Sequence, residues 1–187
     1  LYLMGGTSIE NDHVLLNTFD VLGYPTGLKE RDFYLDVDYP SGWKIATSLP
    51  KTAGGLYYAE DYDKFVDSPI IMGDITVASV LIDGAKINVN TYSEGDQISA
   101  GQVMNDVEQV MEDASAFLNG LPVDHYNFIF FFHNGPSAGA LEHSYSSVYV
   151  IRDNPYSVNY QNYVRDVSAH EFFHIVTPLN IHSEIIE

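Results

Sequence analysis

The sequence predicts an α+β fold in which an antiparallel β region is followed by mixed helix and sheet. Three observations predict it. In "DFYLDVDYP", Phe33, Leu35, Val37 and Tyr39 fall on one face and Tyr34, Asp36 and Asp38 on the other, a strand period of two closed by Pro40. "ITVASVLIDGAKINVNTY" reads as two strands around Asp83-Gly84, a dipeptide suited to the type I′ hairpin turn because both positions take positive φ. After Thr91 the period becomes helical. Val103, Val107, Val110, Met111, Ala114, Phe117 and Leu118 form an apolar stripe, Ser99 and Gln102 a capping box, and Gly120 a stop.

The remaining segments are placed around these. "KTAGGLYYAEDYDKFVDSPIIMGD" reads as a long loop with one short helical turn near Tyr62 to Val66. "YNFIFFFH" is a buried strand, "NGPSAGALEH" a Gly-rich loop, and "SSVYVIR" a further strand. A second helix starts near Asn162 and is expected to end near Thr177, because Pro178 disfavours helix in the residue before it. A domain boundary placed near residue 90 divides 1–90 from 91–187, and the Asp83-Gly84 hairpin fits either side of it.

Composition narrows the function classes. The 187 residues are 45% hydrophobic, enough for a packed core. The longest apolar run, "FIFFF", falls far short of the roughly 20 residues that span a bilayer. Eight Lys and Arg against 26 Asp and Glu give a net charge of -18, which repels nucleic acid and anionic lipid. The absence of cysteine excludes disulfides and thiolate metal sites, so any metal is held by nitrogen and oxygen.

"VSAHEFFHIVTPLN" carries the strongest chemical signal. On a helix His170 and His174 lie about 40° apart around the axis and about 6 Å along it, so both imidazoles reach one ion. Glu171 sits about 100° round from His170, too far to join as a tight ligand but placed to take a proton from water. Zinc hydrolases use His-Glu-x-x-His with that division of labour. The competing reading is a pair of structural histidines. The neighbouring Phe172 and Phe173 favour the metal, because they place the imidazoles beside a core, where unpaired ring nitrogens are costly.

A catalytic zinc needs a third protein ligand. The metzincin pattern requires Gly at 177 and His at 180, and Thr177 and Asn180 exclude it. His182, Glu184 and Glu187 follow too closely to return to the ion without a sharp reversal of the chain, so the third ligand is expected beyond residue 187.

"GALEH", Gly139 to His143, supplies a second signal. It resembles the Gly-x-Met-Glu-Asn type motif of gluzincin aminopeptidases and, more closely, the Gly-Gly-Leu-Glu-His motif of the glycyl aminopeptidase family. "SGWKIATSLP", "VDSPIIMGD" and "HEFFHIVTPLNIH" resemble segments of the same family in the same order. The resemblance covers nearly the whole chain. It implies the end of an N-terminal β domain (1–90) followed by the front of a thermolysin-like metallopeptidase domain (91–187), a middle fragment of such an enzyme.

By motif position, the resemblance implies His170 and His174 as zinc ligands and Glu171 as general base. It implies Glu142 as the carboxylate that receives the free α-amine, and Gly139 and Ala140 as the edge that binds the substrate backbone. The implied activity is zinc-dependent removal of small N-terminal residues, Gly or Ala, from peptides with a free N-terminus. Ala140 departs from the family's second glycine, and "TPLNIH" stands where many relatives carry a tryptophan and a basic run. A metalloendopeptidase and a non-catalytic binding or scaffold module remain the alternatives. His133, Tyr145 and Tyr149 flank the motif and read chiefly as packed strand residues.

Overall fold

The computed structural model describes residues 6–136, 138–177 and 179. In chain order the elements are β1 (Ser8–Ile9), β2 (His13–Leu16), α1 (Thr18–Val21), β3 (Phe33–Leu35), β4 (Lys44–Thr47), β5 (Tyr57–Ala59), α2 (Tyr62–Val66) and β6 (Ile70–Gly73). They continue as β7 (Thr76–Ile82), β8 (Ala85–Ser93), α3 (Ala100–Leu118), β9 (His125–His133), β10 (Gly139–His143), β11 (Ser146–Arg152) and α4 (Val158–Phe173). A four-stranded antiparallel sheet runs β1-β2-β6-β4, a five-stranded sheet runs β10-β11-β9-β8-β7, and β3 pairs with β5. In the five-stranded sheet the β8–β9 and β9–β11 pairs are parallel and the outer pairs antiparallel. The α+β class is therefore observed.

The period of two explains the layering. Along β9, Tyr126, Phe128, Phe130 and Phe132 enter a core with α3 and α4, while Ile129 and Phe131 enter a second core with Leu15 and Ile71 of the four-stranded sheet. Helices cover one face of the mixed sheet and strands the other, so β9 reads as an uninterrupted apolar run because both faces are buried. The Asp83-Gly84 hairpin belongs to this sheet through the β8–β9 pairing. Both turn residues have positive φ, 49° and 83°, as type I′ requires.

Helix α3 follows its sequence signals closely. Ser99 and Gln102 complete the capping box, and Val103, Val107, Met111 and Ala114 are buried. The left-handed terminal residue is Asn119, at φ 58°, with Gly120 following at φ 119°. Phe117, expected on the buried stripe, is 78% exposed; on the last turn of α3 its one ring contact among the described residues is edge-on to Phe173, with centroids 5.9 Å apart. Helix α4 is tied to α3 through buried Asp106, which accepts hydrogen bonds from Arg165 Nε and from the Tyr156 hydroxyl, both 2.7 Å.

Three expectations are corrected. The strand read over residues 33–39 extends only over β3, because its pairing with β5 ends at Leu35. The segment read as a loop before residue 74 contains β5 and β6 besides the short helix α2. Strand β6 is buried throughout and pairs on both edges, so it lacks the alternation that marks a half-exposed strand. Gly139–His143, read as part of a loop, is the edge strand β10, whose register against β11 runs from Gly139↔Val150 to His143↔Ser146.

Candidate metal centre

Helix α4 begins at Val158 and its last residue is Phe173, earlier at both ends than the spacing suggested. Beyond it the backbone tightens. The N–H groups of His174, Ile175 and Val176 donate to carbonyls three residues back, at 3.0 to 3.3 Å, in place of the four-residue ladder. Fully buried Val164, Ser168 and Phe172 face the core, and Phe172 meets Tyr126 edge-on at 5.1 Å. This anchorage sets the rotation of the helix and leaves His170 exposed and His174 half-buried. Burial of the imidazoles beside the core is thus corrected: the phenyl groups take the interior, and Glu171 is the buried member, 6% exposed.

One ligand atom each from His170, Glu171 and His174 lie within 4.8 Å of one another. The histidine rings stand nearly perpendicular, 85°, with centroids 4.9 Å apart. His174 Nδ1 lies 3.1 Å from the Thr177 carbonyl oxygen. A carbonyl only accepts, so Nδ1 carries the proton and Nε2 keeps its lone pair, the tautomer a metal ligand needs. Two neighbouring imidazoles are donors that suit zinc, and the carboxylate beside them suits a base.

Burial pushes the Glu171 carboxyl above the usual range, and the negative charge of Glu142 pushes the same way, while His170 and His174 oppose it. A carboxyl raised in the folded state contributes stability below its unfolded pKa, and that contribution is lost as pH rises through the folded value. In metal-free protein, Glu171→Gln is therefore expected to gain stability relative to wild type between about pH 4 and about pH 7. Thermal unfolding in chelator at both pH values measures it; a variant that loses ground as pH rises would contradict the burial argument.

Gly139, Ala140 and Glu142, the residues expected at a substrate edge, lie on a strand beside this helix. Strand β10 is the outer strand of the five-stranded sheet, so its far edge carries backbone groups without a strand partner among the described residues. Ala140 packs against the helical core, and alternation places Glu142 on the same face. Gly139, Ala140 and Glu142 are all half-buried. Fully buried Tyr149 stacks on Phe130 at 4.3 Å and does not line the site, and His133 is also fully buried. Tyr145 stacks on His125 at 4.8 Å beside a cleft of about 190 Å³ that His170, Glu171 and Glu142 do not line. Asn180, His182, Glu184 and Glu187 lie outside the described residues.

Two participants escaped the sequence reading. The Thr177 carbonyl is a backbone group, which no motif records. Asp67 reaches the β10–β11 turn from the C-cap position just after α2, with nothing local in "VDSPI" to announce that contact.

Comparison with known proteins adds to this geometry. Residues 3–74 match the Peptidase M61 N-terminal domain. Among solved structures, the chain is similar to an aminopeptidase N family protein from Idiomarina loihiensis, with a TM-score of 0.78 and 21% sequence identity. The match covers 93% of this chain and 32% of that protein, so the chain spans about a third of its length. At that identity the likeness establishes a shared fold. No curated protein matches the chain significantly. The M61 match ends at Asp74, between β6 and β7, where the chain leaves the four-stranded sheet for the five-stranded one. No helix among the described residues is long and apolar enough to cross a membrane.

Proposed function

We propose that these residues belong to a zinc-dependent aminopeptidase that removes small N-terminal residues, Gly or Ala, from peptides. The observation that carries this reading is that the edge strand β10 sets Ala140, and by alternation Glu142, on the face covered by α4, the helix on which ligand atoms of His170, Glu171 and His174 lie within 4.8 Å of one another.

In this reading His170 and His174 hold zinc. Bound zinc supplies Lewis acidity toward the scissile carbonyl and toward water. Glu171, with its carboxyl pushed up by burial, accepts the proton of the attacking water and passes it to the leaving amine. The free edge of β10 takes the peptide backbone as an added strand, with Gly139 and Ala140 at its contact. Glu142 meets the α-ammonium, a charge-assisted contact made in a partly desolvated position.

Peptides with free and acetylated N-termini, presented to the zinc-loaded full-length protein that supplies the third ligand, test the proposal. Turnover is expected only with the free amine, and Glu142→Gln should lower kcat/KM by about 10- to 100-fold. Equal cleavage of both peptides would indicate an endopeptidase. Zinc-independent binding without cleavage would indicate a non-catalytic module.

A further inference from the structure

We propose that Asp67 and His143 form a positioning pair that holds Glu142 in register for a substrate amine, an inference that rests on the aminopeptidase reading above. Alternation along β10 divides its side chains between two faces. Ala140 and Glu142 face the α4 side, whereas Leu141 and His143 face the N-terminal sheet, beside Leu15 and Pro69. His143 is buried, and its Nδ1 lies 2.8 Å from Asp67 Oδ1. The other carboxylate oxygen, Oδ2, accepts the Ser144 N–H at 2.9 Å. One side chain from the N-terminal region thus grips both the residue after Glu142 and the start of the turn.

The turn needs such a brace. Ser144 and Tyr145 are the two turn residues between β10 and β11, and neither has positive φ. Two-residue hairpins favour primed turns with positive φ because their twist matches the strands, and other two-residue turns splay them. At Asp83-Gly84 the chain meets that requirement with its own residues. At Ser144-Tyr145 it relies on outside contacts: Asp67 on one side and, on the other, Asn127 N–H donating to the Tyr145 carbonyl at 3.0 Å.

Asp67 is itself firmly held. Its N–H donates to the Asp63 carbonyl at 2.9 Å to close α2. The neighbouring Ser68 hydroxyl donates to the Lys64 carbonyl at 2.9 Å and accepts from Ser48. A rigidly presented carboxylate fixes what it binds, and Glu142 is one residue from the grip. The pair also connects the M61-like region to the edge strand, since Asp67 lies within residues 3–74.

The test uses the full-length, zinc-loaded protein with Glu171→Gln as background, so that peptides bind without turnover. Calorimetry measures the affinity of a glycyl dipeptide amide and of its N-acetyl form in that parent, in Asp67→Ala, in His143→Phe and in Glu142→Gln. Misplacing a recognition group by a fraction of an ångström to 1 Å is expected to weaken the free-amine peptide about tenfold in Asp67→Ala and His143→Phe, with acetyl-peptide affinity and zinc content unchanged. Parent-level affinity in either variant, or equal weakening of both peptides, would overturn the proposal. Loss of fold in both variants would assign the pair to stability alone and overturn it too. A parent that ignores acetylation, with Glu142→Gln matching it, would instead remove the amine reading itself, and the positioning role with it.

Discussion

For the zinc aminopeptidase proposed above, replacing His174 with alanine is expected to lower zinc affinity by more than about 100-fold and to abolish peptidase activity, whereas Glu171→Gln should keep the metal and lower kcat by about 10²- to 10⁴-fold. The two changes separate because the proposed roles differ. In the proposed site His174 would offer Nε2 to the ion while Nδ1 lies 3.1 Å from the Thr177 carbonyl, so alanine would remove both a ligand and the contact that orients it. Glu171 is buried, and its amide replacement is nearly the same size but cannot accept a proton from water. Metal analysis and competition with a chromophoric chelator measure the first effect, and steady-state kinetics on a glycyl substrate the second. His125→Ala serves as control, because His125 pairs with Asp124 and stacks on Tyr145 away from α4. Equal zinc content in His174→Ala and His125→Ala would refute the metal assignment.

The second large effect concerns stability. Phe131→Ala is expected to destabilise the fold by about 3–5 kcal/mol, and Phe117→Ala by less than about 0.5 kcal/mol. Phe131 is fully buried between the two sheets, stacked on Tyr92 at 5.1 Å and tilted against His13 at 5.0 Å. Its removal opens a cavity that two hydrogen-bonded sheets cannot collapse to fill. Phe117 is mostly exposed and loses only its edge contact with Phe173. Urea unfolding followed by circular dichroism measures both midpoints, with slopes expected to stay alike. A Phe131 variant within about 1 kcal/mol of wild type would show that the layers do not share the core described.

The contrast between these phenylalanines illustrates how far local pattern reaches. Phe117 falls on the helical stripe of α3, yet the stripe continues past the surface it packs against. On β9 the run of phenylalanines correctly announces a buried strand, but only the assembled sheets show which ring enters which core. The site divides in the same way. His170 and His174 were legible because a spacing of four residues on a helix places two side chains together regardless of the rest of the chain. That His170 is exposed and His174 half-buried while Glu171 is buried depends on Phe172 and Val164 anchoring α4 to the mixed sheet.

By itself the sequence determined the features whose causes lie within a few residues: the Asp83-Gly84 turn through its positive φ angles, the start of α3 through its capping box, and the four-residue spacing that brings His170 and His174 together on α4. Only the tertiary structure decided that β6 is a paired inner strand, that Gly139–His143 forms the sheet edge, and that Asp67 braces a turn 77 residues downstream. Backbone torsion and helical spacing act between near neighbours, so they leave a local trace. Strand pairing and long-range hydrogen bonds join groups whose partners are set by how the layers pack, and that choice has no signature in either segment alone.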